Sequence, residues 1–158
     1  MRPLQRFIGR TLKFFAERDA RGDDWDAHTR KLEEALTVMQ NRCAGAKDTA
    51  WNREAVAHVT GIERWATARL RRALDGDAVV MDAYHPYRPD TEQGLDALLV
   101  AMADTRRDTL SLVHDYKLAG GATRVTVPHN DLGDLTVGGW LSYLRAHGSR
   151  ELLRVRKG

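Results

Sequence analysis

Apolar residues recur every three or four positions through most of this 158-residue chain, a spacing that suits helices and leaves little room for strands. Four stretches hold the pattern long enough to be buried helices. The first runs from a cap at Asp23 or Asp24 to about Cys43, with Trp25, His28, Thr29, Leu32, Leu36, Met39 and Cys43 on one face. A second runs from about Asn52 to Leu74, turning Val56, Val59, Ile62, Ala66 and Leu70 inward, with His58 and Trp65 along one border. Between Thr91 and Lys117 the third carries Leu95, Leu98, Leu99, Met102, Leu110 and Val113 in register. The fourth, capped by Thr136 or Asp134, extends to Lys157. Long amphipathic helices bury their stripes against one another, so the expected architecture is all-α, a single domain built as a four-helix bundle.

The connections constrain how such helices run. Cys43 to Thr49 is small and polar, a turn short enough to make the first two helices antiparallel. Gly76 to Pro89 is longer, and Pro86 and Pro89 exclude a continuous helix there. A helix of some 24 residues spans roughly 36 Å, and about a dozen extended residues reach as far, so this linker permits the second and third helices to be parallel. Tyr84, His85 and Tyr87 lie on it, where they can sit over a cavity. Gly120 and Gly121 end the third helix, and Arg124 to Val127 reads as briefly extended. Ahead of everything, Pro3 to about Glu17 carries Leu4, Phe7 or Ile8, Leu12 and Phe15 at helical spacing. That is a short accessory helix, expected to pack on the bundle or on a dimer partner.

Charge and cysteine usage narrow the function classes. The net charge is only +3 and basic residues are scattered among acidic ones, which argues against a dedicated nucleic-acid surface. Arg145, Arg150, Arg154, Arg156 and Lys157 crowd the end of the last helix, where they complement its dipole. A lone Cys43 excludes an internal disulfide and fits a reducing compartment, hence a cytoplasmic expectation, and it reads as a small buried hydrophobe. Arg2, Arg6 and Arg10 are followed by no continuous apolar run, so neither a signal peptide nor a membrane span is expected.

Two charged residues violate the pattern. Arg106 falls near the middle of the third stripe. On the last helix, with Leu144 as the zero of the wheel, Trp140, Leu141, Gly148, Leu152 and Val155 fall within about 80° of it. Glu151 lies almost at the centre of that arc and His147 at its edge. An unpaired buried charge costs several kcal/mol, so Glu151 must be protonated, paired or metal-bound. Two partners suggest themselves. His147 and Glu151 are one turn apart, and with His58 they make two imidazoles and a carboxylate, a set that holds zinc or iron with an open position for water or a thiolate. Alternatively Arg106 neutralises Glu151 as a buried ion pair. His28 reads as core packing before fourth ligand or ligand support, His129 as a surface or capping residue near the site mouth, and His85 and His114 as exposed.

The residues Ala57, His58 and Val59 with Glu63 and Trp65 following, and Val127, Pro128 and His129 through Gly133, Leu135 and Thr136 into Trp140, Leu141 and His147, resemble the DinB-like (YfiT-like) metalloenzyme family. The resemblance covers most of the chain from about Trp25. It implies an up-down-down-up bundle with a divalent metal (zinc, nickel, iron or manganese) held by one histidine on the second helix and a His-x-x-x-His pair on the last. His58 and His147 match, and the third position is Glu151, a departure that changes metal preference or removes the site. Relatives are similar to thiol-dependent S-transferases, isomerases and hydrolases, often dimeric. By resemblance, then, this chain acts on a small-molecule substrate with a low-molecular-weight thiol, forms a homodimer and serves a stress response. Its rival is a non-catalytic, stress-related binding protein with a degenerate metal site and the Glu151/Arg106 pair.

Overall fold

The computed structural model describes residues 3–157, with side chains from Thr11 onward. Five α-helices and one small hairpin account for most of the chain: α1 (Pro3–Ala20), α2 (Trp25–Cys43), α3 (Ala50–Asp75), α4 (Leu95–Leu118), β1 (Thr126–His129), β2 (Gly133–Thr136) and α5 (Val137–Glu151). The fold is therefore mostly helical, as the periodicity predicts. No helix among the described residues is long and apolar enough to cross a membrane.

Capping explains where the helices begin. The Asp24 carboxylate accepts a hydrogen bond from Ala27 N at 2.8 Å and starts α2, as expected. Thr49 does the same for α3 through Asn52 N, so that helix begins two residues before the predicted Asn52. The third predicted helix starts late instead. Thr91–Gln93 forms only a 3-10 turn, because Gly94 takes φ +82 and separates it from α4.

The hairpin replaces the predicted brief extended segment with two paired strands. Val127 stands opposite Leu135 and His129 opposite Gly133, and the two apolar partners both point into the core. Thr136 then caps α5 by accepting from Gly139 N at 2.9 Å. That helix ends at Glu151, six residues short of the predicted Lys157, and a 3-10 turn (Leu152–Arg154) follows. Val155 beyond the turn is still buried. The chain is held there by Asn52, fully buried on α3, whose side chain bonds Arg156 N and O as well as Lys47 O. Arg42 of α2 meanwhile donates to the carbonyl of Leu152 at 3.2 Å.

Contacts between helices rise in step along some pairs and in opposition along others. From α3 to α4, Arg64 bonds Thr105, Thr67 bonds Thr109 and Arg71 bonds Asp115. Between α3 and α5, Trp65 meets Trp140 and His58 meets His147, the order reversed. On α2, Trp25 stacks on Tyr116 of α4, and Met39 lies opposite Gly148 of α5, where a Cβ would come within 3.0 Å of its sulfur. Gly148 thus lets α2 and α5 approach closely. Two apolar clusters result, one around Trp65, Leu70, Leu112, Tyr116 and Trp140, the other around Met39, Val56, Leu98, Met102 and Leu152.

The accessory helix α1 packs against α5 and β2. Leu4, Phe7 and Ile8, which the sequence places on its inner face, lie outside the described side chains, and Phe15 is 55% exposed. Two carboxylates dock it. Glu17 accepts from Thr136 N and Thr136 Oγ1, both at 2.7 Å, at the very start of α5, while Asp19 accepts from Ser142 and Arg145. Glu17 therefore supports the cap as well as the N-terminal dipole of α5. Glu17→Ala should cost about 1–2 kcal/mol, read as a lowered thermal midpoint. A midpoint within a degree of the parent would mean that α1 is not clamped there.

Candidate functional site

Two helical turns separate His58 from Trp65 on α3, and two separate Trp140 from His147 on α5. Seven residues return a side chain to nearly the same face, so a helix pair that packs Trp65 on Trp140 also brings His58 to His147. The indoles lie 5.5 Å apart and the imidazoles 5.2 Å apart, ring centre to ring centre. His147 is buried and His58 half-buried, so the pair sits just below the surface.

Aromatic rings surround the imidazoles. Tyr84 meets His58 edge-on at 5.3 Å from the linker after α3. Two residues earlier on the same linker, Asp82 ties the linker to α3, accepting from Trp65 Nε1 at 2.9 Å and Arg69 at 3.1 Å, and also accepts from Tyr87 OH at 2.7 Å. Of the linker residues expected over a cavity, Tyr84 lies against His58, Tyr87 bonds Asp82, and His85 is exposed. On the other side Tyr143, one turn before His147, lies 5.4 Å from it, and His129 follows 5.2 Å beyond Tyr143.

His129 is no surface residue. It is only 6% exposed, packed among Trp65, Trp140 and Tyr143. Nor does it cap α5, which Thr136 does: its Nδ1 accepts from Asp131 N at 3.0 Å and Leu132 N at 3.3 Å, closing the hairpin turn instead. Nε2 must then carry the proton, and it is buried with no hydrogen-bond partner among the described residues.

Burial keeps these rings neutral. It lowers His147 to about 3, with His58, Arg150 and Arg154 pushing the same way, and lowers His129 to about 4. His58 is also lowered, first by burial, while the charge of Glu151 works against the shift. Burial raises the Tyr143 phenol to about 12, so it stays protonated.

Glu151 departs from its predicted setting. It is the last residue of α5, just ahead of the 3-10 turn, and its side chain is 23% exposed instead of buried at the centre of the apolar stripe. Its carboxylate pairs with Arg154 at 3.4 Å and Arg150 at 3.8 Å. Among the described residues no three His, Cys, Asp or Glu side chains converge as a metal-holding group. The structure therefore joins His58 to His147 and leaves the Glu151 carboxylate beside them, turned to its arginines.

The expected Glu151/Arg106 ion pair is overturned. Arg106 is fully buried, but its partner is Glu63, with Nε to Oε1 at 2.6 Å and Nη2 to Oε2 at 2.9 Å. Thr109 donates to the same carboxylate at 2.8 Å, and Arg106 Nη1 donates to Leu32 O at 3.2 Å. The reason is the parallel rise of contacts between α3 and α4, which puts Glu63 level with Arg106 while Glu151 lies at the far end of α5.

The remaining candidates fall outside this centre. His28 is buried against Gly138 at the start of α5, consistent with packing. His114 is exposed on α4. Cys43 is buried, and burial raises its pKa, which suits a small hydrophobe and not a nucleophile. Tyr143 was absent from the predicted site, although its position one turn before His147 marks it as a neighbour. No family model matches the chain, and no curated protein or solved structure does.

Proposed function

We propose that this protein is a metal-dependent enzyme of the thiol-dependent S-transferase or hydrolase type, similar to the DinB-like family, on a four-helix bundle with an up-down-down-up course. The course is favoured by the contacts, which ascend together from α3 to α4 and from α2 to α5 and run oppositely between α3 and α5. One observation carries the function: His58 and His147, from different helices, present two neutral imidazoles 5.2 Å apart under a partly open aromatic rim.

In this reading His58 and His147 supply nitrogen ligands and Glu151 an oxygen. Glu151 lies one turn past His147, and its present partners, Arg150 and Arg154, are exposed. Turning its carboxylate to the imidazoles sacrifices two surface ion pairs, worth about 1 kcal/mol or less each. With a divalent ion, whether zinc, nickel, iron or manganese, these residues would hold a Lewis acid, which would supply the means to make a thiol or water nucleophilic near neutral pH. Tyr143 offers a protonated phenol beside His147, and Tyr84 shields His58 from solvent on the linker side.

Metal analysis of protein purified without a polyhistidine tag tests this. The parent should carry about one ion per chain, and His58→Ala and Glu151→Ala should each lose most of it. Stoichiometry that is the same in all three sinks the assignment and leaves the non-catalytic, stress-related binding protein as the better description.

A further inference from the structure

A second feature also includes His147. Between α1 and α5 lies a cavity of about 260 Å³, with Leu12, Phe15 and Ala16 on one wall and Tyr143, Ala146 and His147 on the other. An apolar cavity of roughly 150 Å³ accepts a benzene ring, so this one has room for a ring with a short substituent. Its walls are mainly apolar, which sets the body of any occupant.

The polar part of the lining sets the other end. Asp19, Ser142, Arg145 and Arg150 complete the cavity. Asp19 is already engaged, accepting from the Ser142 hydroxyl and from Arg145 Nη2 at 2.7 Å. Arg145 is not fully engaged: its Nε is buried, with no hydrogen-bond partner among the described residues. Leaving a buried donor unpaired costs about 1–3 kcal/mol, and more on a charged group, so an acceptor in the cavity would relieve it. Arg150 adds a second guanidinium on the same lining, only loosely paired with Glu151 at 3.8 Å. Two guanidiniums against one occupied carboxylate leave the lining positive, and guanidinium binds carboxylate more strongly than it binds neutral acceptors.

We propose that the cavity between α1 and α5 binds a small carboxylate of about ten non-hydrogen atoms in all, its apolar body on Leu12, Phe15 and Tyr143 and its carboxylate on Arg145 and Arg150. Describing that molecule as the substrate rests on the reading of His58 and His147 as a reactive centre; its binding does not. Since His147 lines both spaces, an occupant of the cavity lies beside the imidazole pair. The accessory helix thereby becomes one wall of a binding site as well as a packing element.

Calorimetric titration of the full chain with phenylacetate, in EDTA and again after zinc loading, tests the proposal. Acetate supplies the charge without the body, and benzyl alcohol the body without the charge. Phenylacetate should bind at least about tenfold more tightly than either. Ala146→Trp, which fills the cavity from an exposed position, and Arg145→Met, which removes the donor, should each weaken it by about tenfold or more while the melting curve shows a folded protein. Phenylacetate binding no tighter than acetate or benzyl alcohol overturns the proposal, and so does undiminished binding by both variants. The two readings fail separately: protein that takes up no metal but still selects phenylacetate removes the metal assignment alone, and metal-loaded protein indifferent to phenylacetate removes the pocket alone.

Discussion

Arg106→Met is expected to destabilise the protein by about 3–5 kcal/mol, the largest effect of any single substitution considered, because it strands a carboxylate at the centre of the fold. Glu63 is 2% exposed and Arg106 not at all, and the guanidinium supplies two of the three side-chain donors that reach the Glu63 carboxylate. With methionine in place, only Thr109 remains. Arg106 also donates to Leu32 O and touches the sulfur of Met39, so it ties α2 to the α3–α4 pair and bridges the two apolar clusters. For a chain of this size the loss corresponds to a fall in thermal midpoint of roughly 6–20 °C.

Removing both partners should hurt much less than removing one. Transfer of two charges from water is costly, and their mutual attraction does little more than offset it, so an apolar pair of similar volume often matches a buried ion pair. Glu63→Leu combined with Arg106→Met should therefore recover most of the lost stability, giving a coupling of about 2 kcal/mol or more in a double-mutant cycle. Denaturant melts of the four proteins measure it. Additive single effects would mean that the two groups do not sense each other.

Acid should weaken the fold well before its carboxylates titrate. His147 and His129 have folded pKa values of about 3 and about 4 against an ordinary 6.5, both lowered by burial. Below pH 6.5 the unfolded chain therefore takes up two protons that the folded chain refuses, and stability falls as pH falls. Each histidine contributes about 1.4 kcal/mol per pH unit until its folded pKa is reached, so the two together should cost about 4 kcal/mol between pH 7 and pH 5. His28 and His58, shifted in the same direction, steepen the slope. Urea melts in EDTA across that range check it, and His147→Gln should remove about half of the two-residue effect. A stability profile flat from pH 7 to pH 5 would show that these rings are not held neutral by the fold.

Much of this fold was legible in one dimension because helices are local. The α2 cap at Asp24, the break at Pro86 and Pro89, and the stripes of α2 and α3 follow from spacing and from backbone chemistry within a few residues. Helix ends were harder. Gly94 looks like a tolerated interruption in the sequence, yet its positive φ makes it the start of α4. At the other end, Leu152 and Val155 continue the apolar period of α5 although the helix has stopped, since a 3-10 turn can deliver both to the core.

The site divides the same way. His58 and His147 lie on facing borders of two stripes, and their approach follows from each lying two turns from a buried tryptophan. Arg106 announced itself as a charge in an apolar stripe. Its partner was also within reach, since Glu63 completes the series Val56, Val59, Glu63, Ala66 and Leu70 at spacings of three and four. Ile62 beside it is buried as well, 6% exposed against 2% for Glu63, so an apolar neighbour on the same stripe masked the carboxylate.

By itself, then, the sequence determined the helical class, most helix starts, the presence of a buried charge at Arg106 and the pair of histidines on inward borders. These follow from the 3.6-residue period and from capping, which act over one or two turns. Only the tertiary structure decided that Arg106 answers to Glu63, that Glu151 turns to Arg150 and Arg154 at the end of α5, and that α1 forms one wall of a cavity lined by His147. Partner choice between helices depends on which turns lie level after packing, and a period has no information about axial level until the helices meet.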